Sequence, residues 1–91
     1  MAKKTKESIE AAQLAAMLDR YVTTLTERIK MDAGNVTQHI ERALLCARTA
    51  QAVLVMGGIS DARHLCGFVQ GILLCTGIHT WEYLATDDRR E

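Results

Sequence analysis

Polar and apolar positions repeat with a helical period along most of this chain. From about Ser8, the residues Leu14, Leu18, Tyr21, Val22, Leu25 and Ile29 recur at spacings of three and four, with Ala11 and Ala15 extending the stripe backwards. Glu10, Gln13, Arg20, Glu27 and Arg28 fall largely off that stripe. The spacing predicts a first helix over residues 8–31. The segment "DAGN", residues 32–35, interrupts it: Gly34 suits the left-handed position after a helix end. Asn35 suits the cap of a second helix, and Gln38 three residues later completes a capping-box pattern.

The second helix is expected over residues 36–56. Its apolar positions are Val36, Ile40, Ala43, Leu44, Ala47, Ala50, Val53 and Leu54. Its first half is amphipathic, whereas its last two turns, "AQAVLVM", are apolar nearly all round, as in a helix end buried on more than one side. The pair Gly57–Gly58 stops it. Ser60 is expected to cap a third helix, with Asp61 in its first turn placed favourably for the helix dipole. That helix, residues 61–75, has Leu65, Phe68, Val69, Ile72 and Leu73 as its apolar face and Cys66 beside them. Gly77 ends it, and Thr80 suits the cap of a short helix in "WEYLAT".

These elements define the expected fold: an all-α small helical bundle of two long antiparallel helices, a third packed across them, and a short C-terminal helix. Residues 1–7 read as a basic tail, 8–86 as a single domain and 87–91 as a polar tail. The only β-like fragment, "VLV" at 53–55, lies inside a helical pattern.

Composition narrows the core. The chain has 91 residues, four of them aromatic and none proline, so one small core must be built from Leu, Ile, Val, Met and Ala. Eleven basic and eleven acidic residues leave no net charge, which removes any overall field for attracting nucleic acid or anionic lipid. Three cysteines, an odd number, without an apolar leader segment after "MAKKTKESIE", read as reduced, buried small hydrophobes in a cytoplasmic setting, not a secreted one.

The run "HLCGFVQGILLCTGIHTW", residues 64–81, holds no charged residue. Interrupted by Gln70, three glycines, Thr76, His79 and Thr80, it is too short and too polar for a membrane span. His64, Cys66, Cys75 and His79 are permissible zinc ligands, but on a helix His64 and Cys66 point to different faces and Cys66 and Cys75 lie on roughly opposite sides. No metal and no cofactor is expected. Packing is the remaining reading: Gly67 and Gly71 share one face and would let another backbone approach closely. The approaching helix could belong to this chain or to another. The candidate interface residues are Leu54, Leu65, Gly67, Phe68, Gly71, Ile72, Trp81 and Tyr83.

Catalytic signatures are absent from the sequence. Ser60, Asp61 and His64 lie close together without a nucleophile elbow, and Cys75 and His79 straddle Gly77. The expectation is a non-enzymatic protein with no small-molecule substrate. The second helix, "MGGIS" and the third helix could form a helix-turn-helix, but the recognition helix offers only Arg63, His64 and Gln70 to base edges. Lys3, Lys4 and Lys6 could touch phosphates or a neighbouring protein.

The segment from Ile59 to Leu84, with "RHLCGFVQGILLCTGI" followed by the short capped turn "HTWEYL", resembles segments of short all-helical proteins of tailed bacteriophages. That resemblance implies a minor virion component or an early protein that inhibits host machinery, and no catalytic residues. The expected function is therefore a structural or interaction protein, a homo-oligomer or a small subunit of a larger assembly such as a virion. A small regulator that binds a host protein or nucleic acid is the alternative.

Overall fold

The computed structural model describes residues 6–31, 38–80 and 82–84. Three helices run in chain order: α1 (Lys6–Met31), α2 (Gln38–Val55) and α3 (Ile59–Cys75). A helical turn at residues 82–84 follows. Its cap is Thr80, whose hydroxyl accepts the Tyr83 N–H at 3.2 Å. No strand occurs among the described residues. The architecture is the small all-α bundle that the apolar periodicity predicts.

Side-chain pairings give the helix directions. Asp19 meets Gln51, while Ala11, Ala12 and Ala15 lie near Leu54 and Val55, so α1 and α2 are antiparallel. Arg63 meets Glu10, Cys66 meets Met17 and Gln70 meets Tyr21, so α3 runs parallel to α1.

Each helix buries one narrow line of residues. On α1 that line is Leu14, Leu18, Tyr21 and Leu25, on α2 it is Ile40, Ala43, Ala47 and Ala50, and on α3 it is Ala62, Cys66, Val69 and Leu73. Leu84 joins this core from the C-terminal turn. The sizes are unequal: α1 supplies large side chains, whereas α2 supplies mostly alanine. Interaxial distance between packed helices depends on the side chains at the contact, so an alanine stripe lets backbones come close. α2 accordingly packs intimately along both neighbours, while α1 and α3 stand apart and touch each other sparingly.

The α2–α3 connection is a two-glycine turn with a defined mechanism. The Gly58 N–H donates to the Val53 carbonyl at 2.9 Å and the Gly57 N–H to the Leu54 carbonyl at 3.0 Å, the paired bonds of a Schellman motif. Gly57 sits at φ 92°, where a side chain is strained. A Cβ on Gly58 would lie 2.7 Å from a Val53 methyl and 3.3 Å from its carbonyl oxygen. Both glycines are therefore required, for different reasons.

Three expectations from the sequence change here. First, α3 begins at Ile59, ahead of the expected Asp61, and Ser60 does not cap it. Gly58 occupies the cap position and its carbonyl accepts the Ala62 N–H at 2.9 Å, so Ser60 lies exposed in the first turn. Second, the end of α2 is not buried all round: Val55 is 89% exposed and Met56 86%. The buried line of α2 continues from Ala50 to the half-buried Leu54, which turns Val55 outward. Third, α1 extends to Lys6, inside the segment read as a tail. The expected cap at Asn35, with Gly34 and Val36, lies outside the described residues, as do Lys3, Lys4 and Trp81.

The close approach around α2 gives a direct test. Ala47→Leu adds three carbons at a position with no exposed surface and should destabilise the fold by about 1–3 kcal/mol in urea unfolding. Ala52→Leu, on the exposed side of the same helix, should change stability by no more than about 0.5 kcal/mol.

Candidate interaction surface

The two long faces of α3 differ completely. Its inner face carries the core line. The edge toward α1 carries polar side chains that are already engaged. Gln70 donates through Nε2 to the Tyr21 hydroxyl at 3.0 Å and approaches the Met17 sulfur at 3.5 Å. The Cys66 thiol donates to the same sulfur at 3.6 Å. Arg63 pairs with Glu10 at the mouth of a cleft of about 370 Å³ between α1 and α3. These contacts span the gap that the large α1 side chains leave.

The outer face carries His64, Gly67, Phe68, Gly71 and Cys75, all exposed, at the spacings of one helical stripe. A Cβ added at Gly67 or Gly71 would meet nothing within 4 Å. The helix that the glycine pair could admit is therefore not supplied by α1 or α2. Among the described residues the two glycines face open space.

Phe68 belongs to this outer stripe and not to the core: it is 53% exposed. The expected core face was misplaced at this residue because the buried line runs through Ala62, Cys66, Val69 and Leu73, and Phe68 is a helical step of about 100° away from Val69. Leu65 and Ile72, half-buried, flank the core line and pack against it, as does Leu54 on α2. Of the expected interface residues, Gly67, Phe68 and Gly71 are brought together on one open face. Leu65 and Ile72 pack inward against the core, and Leu54 lies instead beside Ala11, Ala12 and Ala15 of α1.

Tyr83 is committed elsewhere. Its ring stacks on His79 at 4.1 Å between centroids, and His79 also lies 6.0 Å from the Tyr21 ring. The imidazole Nδ1 donates to the Ile78 carbonyl at 3.0 Å. This cluster fastens the C-terminal turn to α1 and the end of α3, and Tyr83, half-buried, is not a free anchor.

The cysteines do not share one environment. Cys66 is buried, Cys46 half-buried and Cys75 exposed. The exposure of Cys75 departs from the reading of all three as interior, because it lies one turn beyond Gly71 on the outward stripe. Cys66 lies in the core and His79 against Tyr83, while His64 and Cys75 stand about three turns apart on the outer stripe. Among the described residues no three potential ligands gather. No described helix is long and apolar enough to cross a membrane.

Arg63, His64 and Gln70, the residues that a recognition helix would need, diverge: Arg63 and Gln70 turn toward α1 and only His64 faces out. Compared with known proteins, the chain matches no family model, no curated protein and no solved structure.

Open space beside both glycines makes their cost measurable. In a helix interior each glycine is about 1 kcal/mol less favourable than alanine. Gly67→Ala and Gly71→Ala should each raise the unfolding free energy of the single chain by roughly 0.5–1 kcal/mol in urea titrations at high dilution. A loss of stability would mean that the glycines serve a contact within the chain.

Proposed function

We propose that this protein is a non-enzymatic interaction protein that works by self-association, as an oligomer or as a small subunit of a larger assembly. The observation that carries this reading is the outer face of α3, where Gly67 and Gly71 clear the helix surface around a half-exposed Phe68 and no other described residue covers them. Two helix-weakening glycines on an exposed surface are destabilising for a free monomer. They are compensated when another helix packs where the side chains are missing. The face is uncharged from Leu65 to Cys75, so a charged partner surface would find no counter-charges there, whereas another apolar surface would.

The exposed Val55 and Met56 beside the α2–α3 turn enlarge the apolar surface that an assembly would cover. A virion is the larger assembly that the resemblance of residues 59–84 implies. The alternative of a regulator that reads nucleic acid draws little support from α3, whose Arg63 and Gln70 are spent on contacts with α1.

Absolute mass by light scattering, across a dilution series, tests the reading. The expected mass is a multiple of the 10.1 kDa chain that falls on dilution. Phe68→Arg and Gly71→Arg, at positions open to solvent, should keep the helical circular dichroism. Each should weaken association by about tenfold or more. A single-chain mass at every concentration, with wild-type protein fully folded, would defeat the reading.

A further inference from the structure

Self-association through α3 leaves open what α3 meets on the second copy, and the structure holds a matching surface elsewhere. On the side of α1 away from α3, Ala11, Ala12 and Ala15 line a groove with Leu54 and Val55 of α2. Asp19 and Gln51 close one end of it, joined by a 2.8 Å hydrogen bond from the Gln51 amide to the Asp19 carboxylate. The groove volume is about 400 Å³. An apolar cavity of roughly 150 Å³ already holds benzene, so the groove is large enough to take a phenyl ring.

We infer that the outer face of α3 from one copy docks into the α1–α2 groove of the next, with Phe68 as the inserted side chain, so that copies join head to tail. This rests on the self-association proposed above and specifies its geometry.

Register and charge both support it. When α3 is laid antiparallel to α1 of the neighbour with Phe68 opposite Ala15, one turn back along α3 places His64 opposite Asp19. One turn forward places Gly71 opposite Ala12. Both helices rise about 1.5 Å per residue, so the match holds over that length. The small residues then face each other where the backbones must come closest, and the aromatic ring faces the groove. His64, the sole outward basic or imidazole side chain of the α3 stripe among the described residues, meets the carboxylate at the groove's end.

The alternative pairing of two α3 faces places Phe68 and its glycines against the same set of residues. With Phe68 laid antiparallel against Gly67 of the second copy, it sets His64 opposite Gly71 and not opposite a carboxylate, and it leaves the alanine groove uncovered. Knob and groove lie on different faces of one chain, so the interface is heterologous. It propagates into a ring if the rotation closes, or into a filament if it does not.

Complementation of two blocked variants tests this. Phe68→Ala removes the knob and keeps the groove. Ala15→Arg fills the groove and keeps the knob, at an exposed position that leaves the fold intact by circular dichroism. Ala12→Arg serves as a second groove block. Each variant alone should have a single-chain mass under conditions where the wild-type chain associates. Mixed in equal amounts, Phe68→Ala and Ala15→Arg should form a heterodimer of twice the chain mass that grows no further.

The charge pair gives an independent reading. His64→Asp should weaken wild-type association by about tenfold, and adding Asp19→His in the same chain should restore most of it. If the groove-blocked variants associate as the wild-type chain does, the head-to-tail geometry is wrong while self-association through α3 stands. A wild-type chain that stays single at all concentrations overturns both.

Discussion

The alanines of α2 set the terms on which this small bundle is built. Ala43, Ala47 and Ala50 are wholly buried, and no larger residue could occupy their line without forcing α2 away from its neighbours. Because α2 is thin, the large side chains of α1 can reach the core centre, and Leu18, Tyr21 and Leu25 lose all exposure there. Because α2 draws both neighbours to itself, α1 and α3 are held apart and meet through side chains. The Tyr21–Gln70, Met17–Cys66 and Glu10–Arg63 contacts are the means by which that wider gap is bridged.

The same constraint explains which surfaces remain open. A chain of this size has one core and three helices, so each helix turns a face to solvent. Two of those faces are not built as solvent faces. The outer stripe of α3 has no charge between Leu65 and Cys75, and the outer side of α1 offers three alanines beside Leu54 and Val55. The ordinary polar surface is found instead on Thr23, Glu27 and Lys30 of α1 and on Glu41, Arg42 and Arg48 of α2. Charge is thinned where small residues gather: Asp19 is the one charged residue that lines the alanine groove.

Much of the bundle was legible in the sequence, for identifiable reasons. The stripe of α1 is made of large residues at helical spacing, and it is the stripe that is buried. The Gly57–Gly58 stop and the Thr80 cap rest on local backbone chemistry that tertiary context does not alter. Errors arose where size misleads. Phe68 reads as core by its hydrophobicity, yet the true core line of α3 passes through the smaller Ala62 and Cys66. Val55 and Met56 read as buried because a run of apolar residues has no visible direction until the helix is docked. The groove was not legible at all, since it exists only once α1 and α2 lie antiparallel in one particular register.

The uneven packing also divides the molecule kinetically. α2 and α3 are joined by a tight turn and share the most intimate contact in the structure, so they form a helical hairpin whose contacts are local in sequence. α1 is laid along α2 and tethered to α3 by scattered side-chain bridges. Local opening follows packing density, so amides of α1 that lie away from the alanine stripe should exchange with solvent before those of the hairpin interior. The helix that opens first is also the one that lines the alanine groove. A neighbouring copy seated there would hold α1 down, so assembly would slow that exchange in the element with the least to secure it.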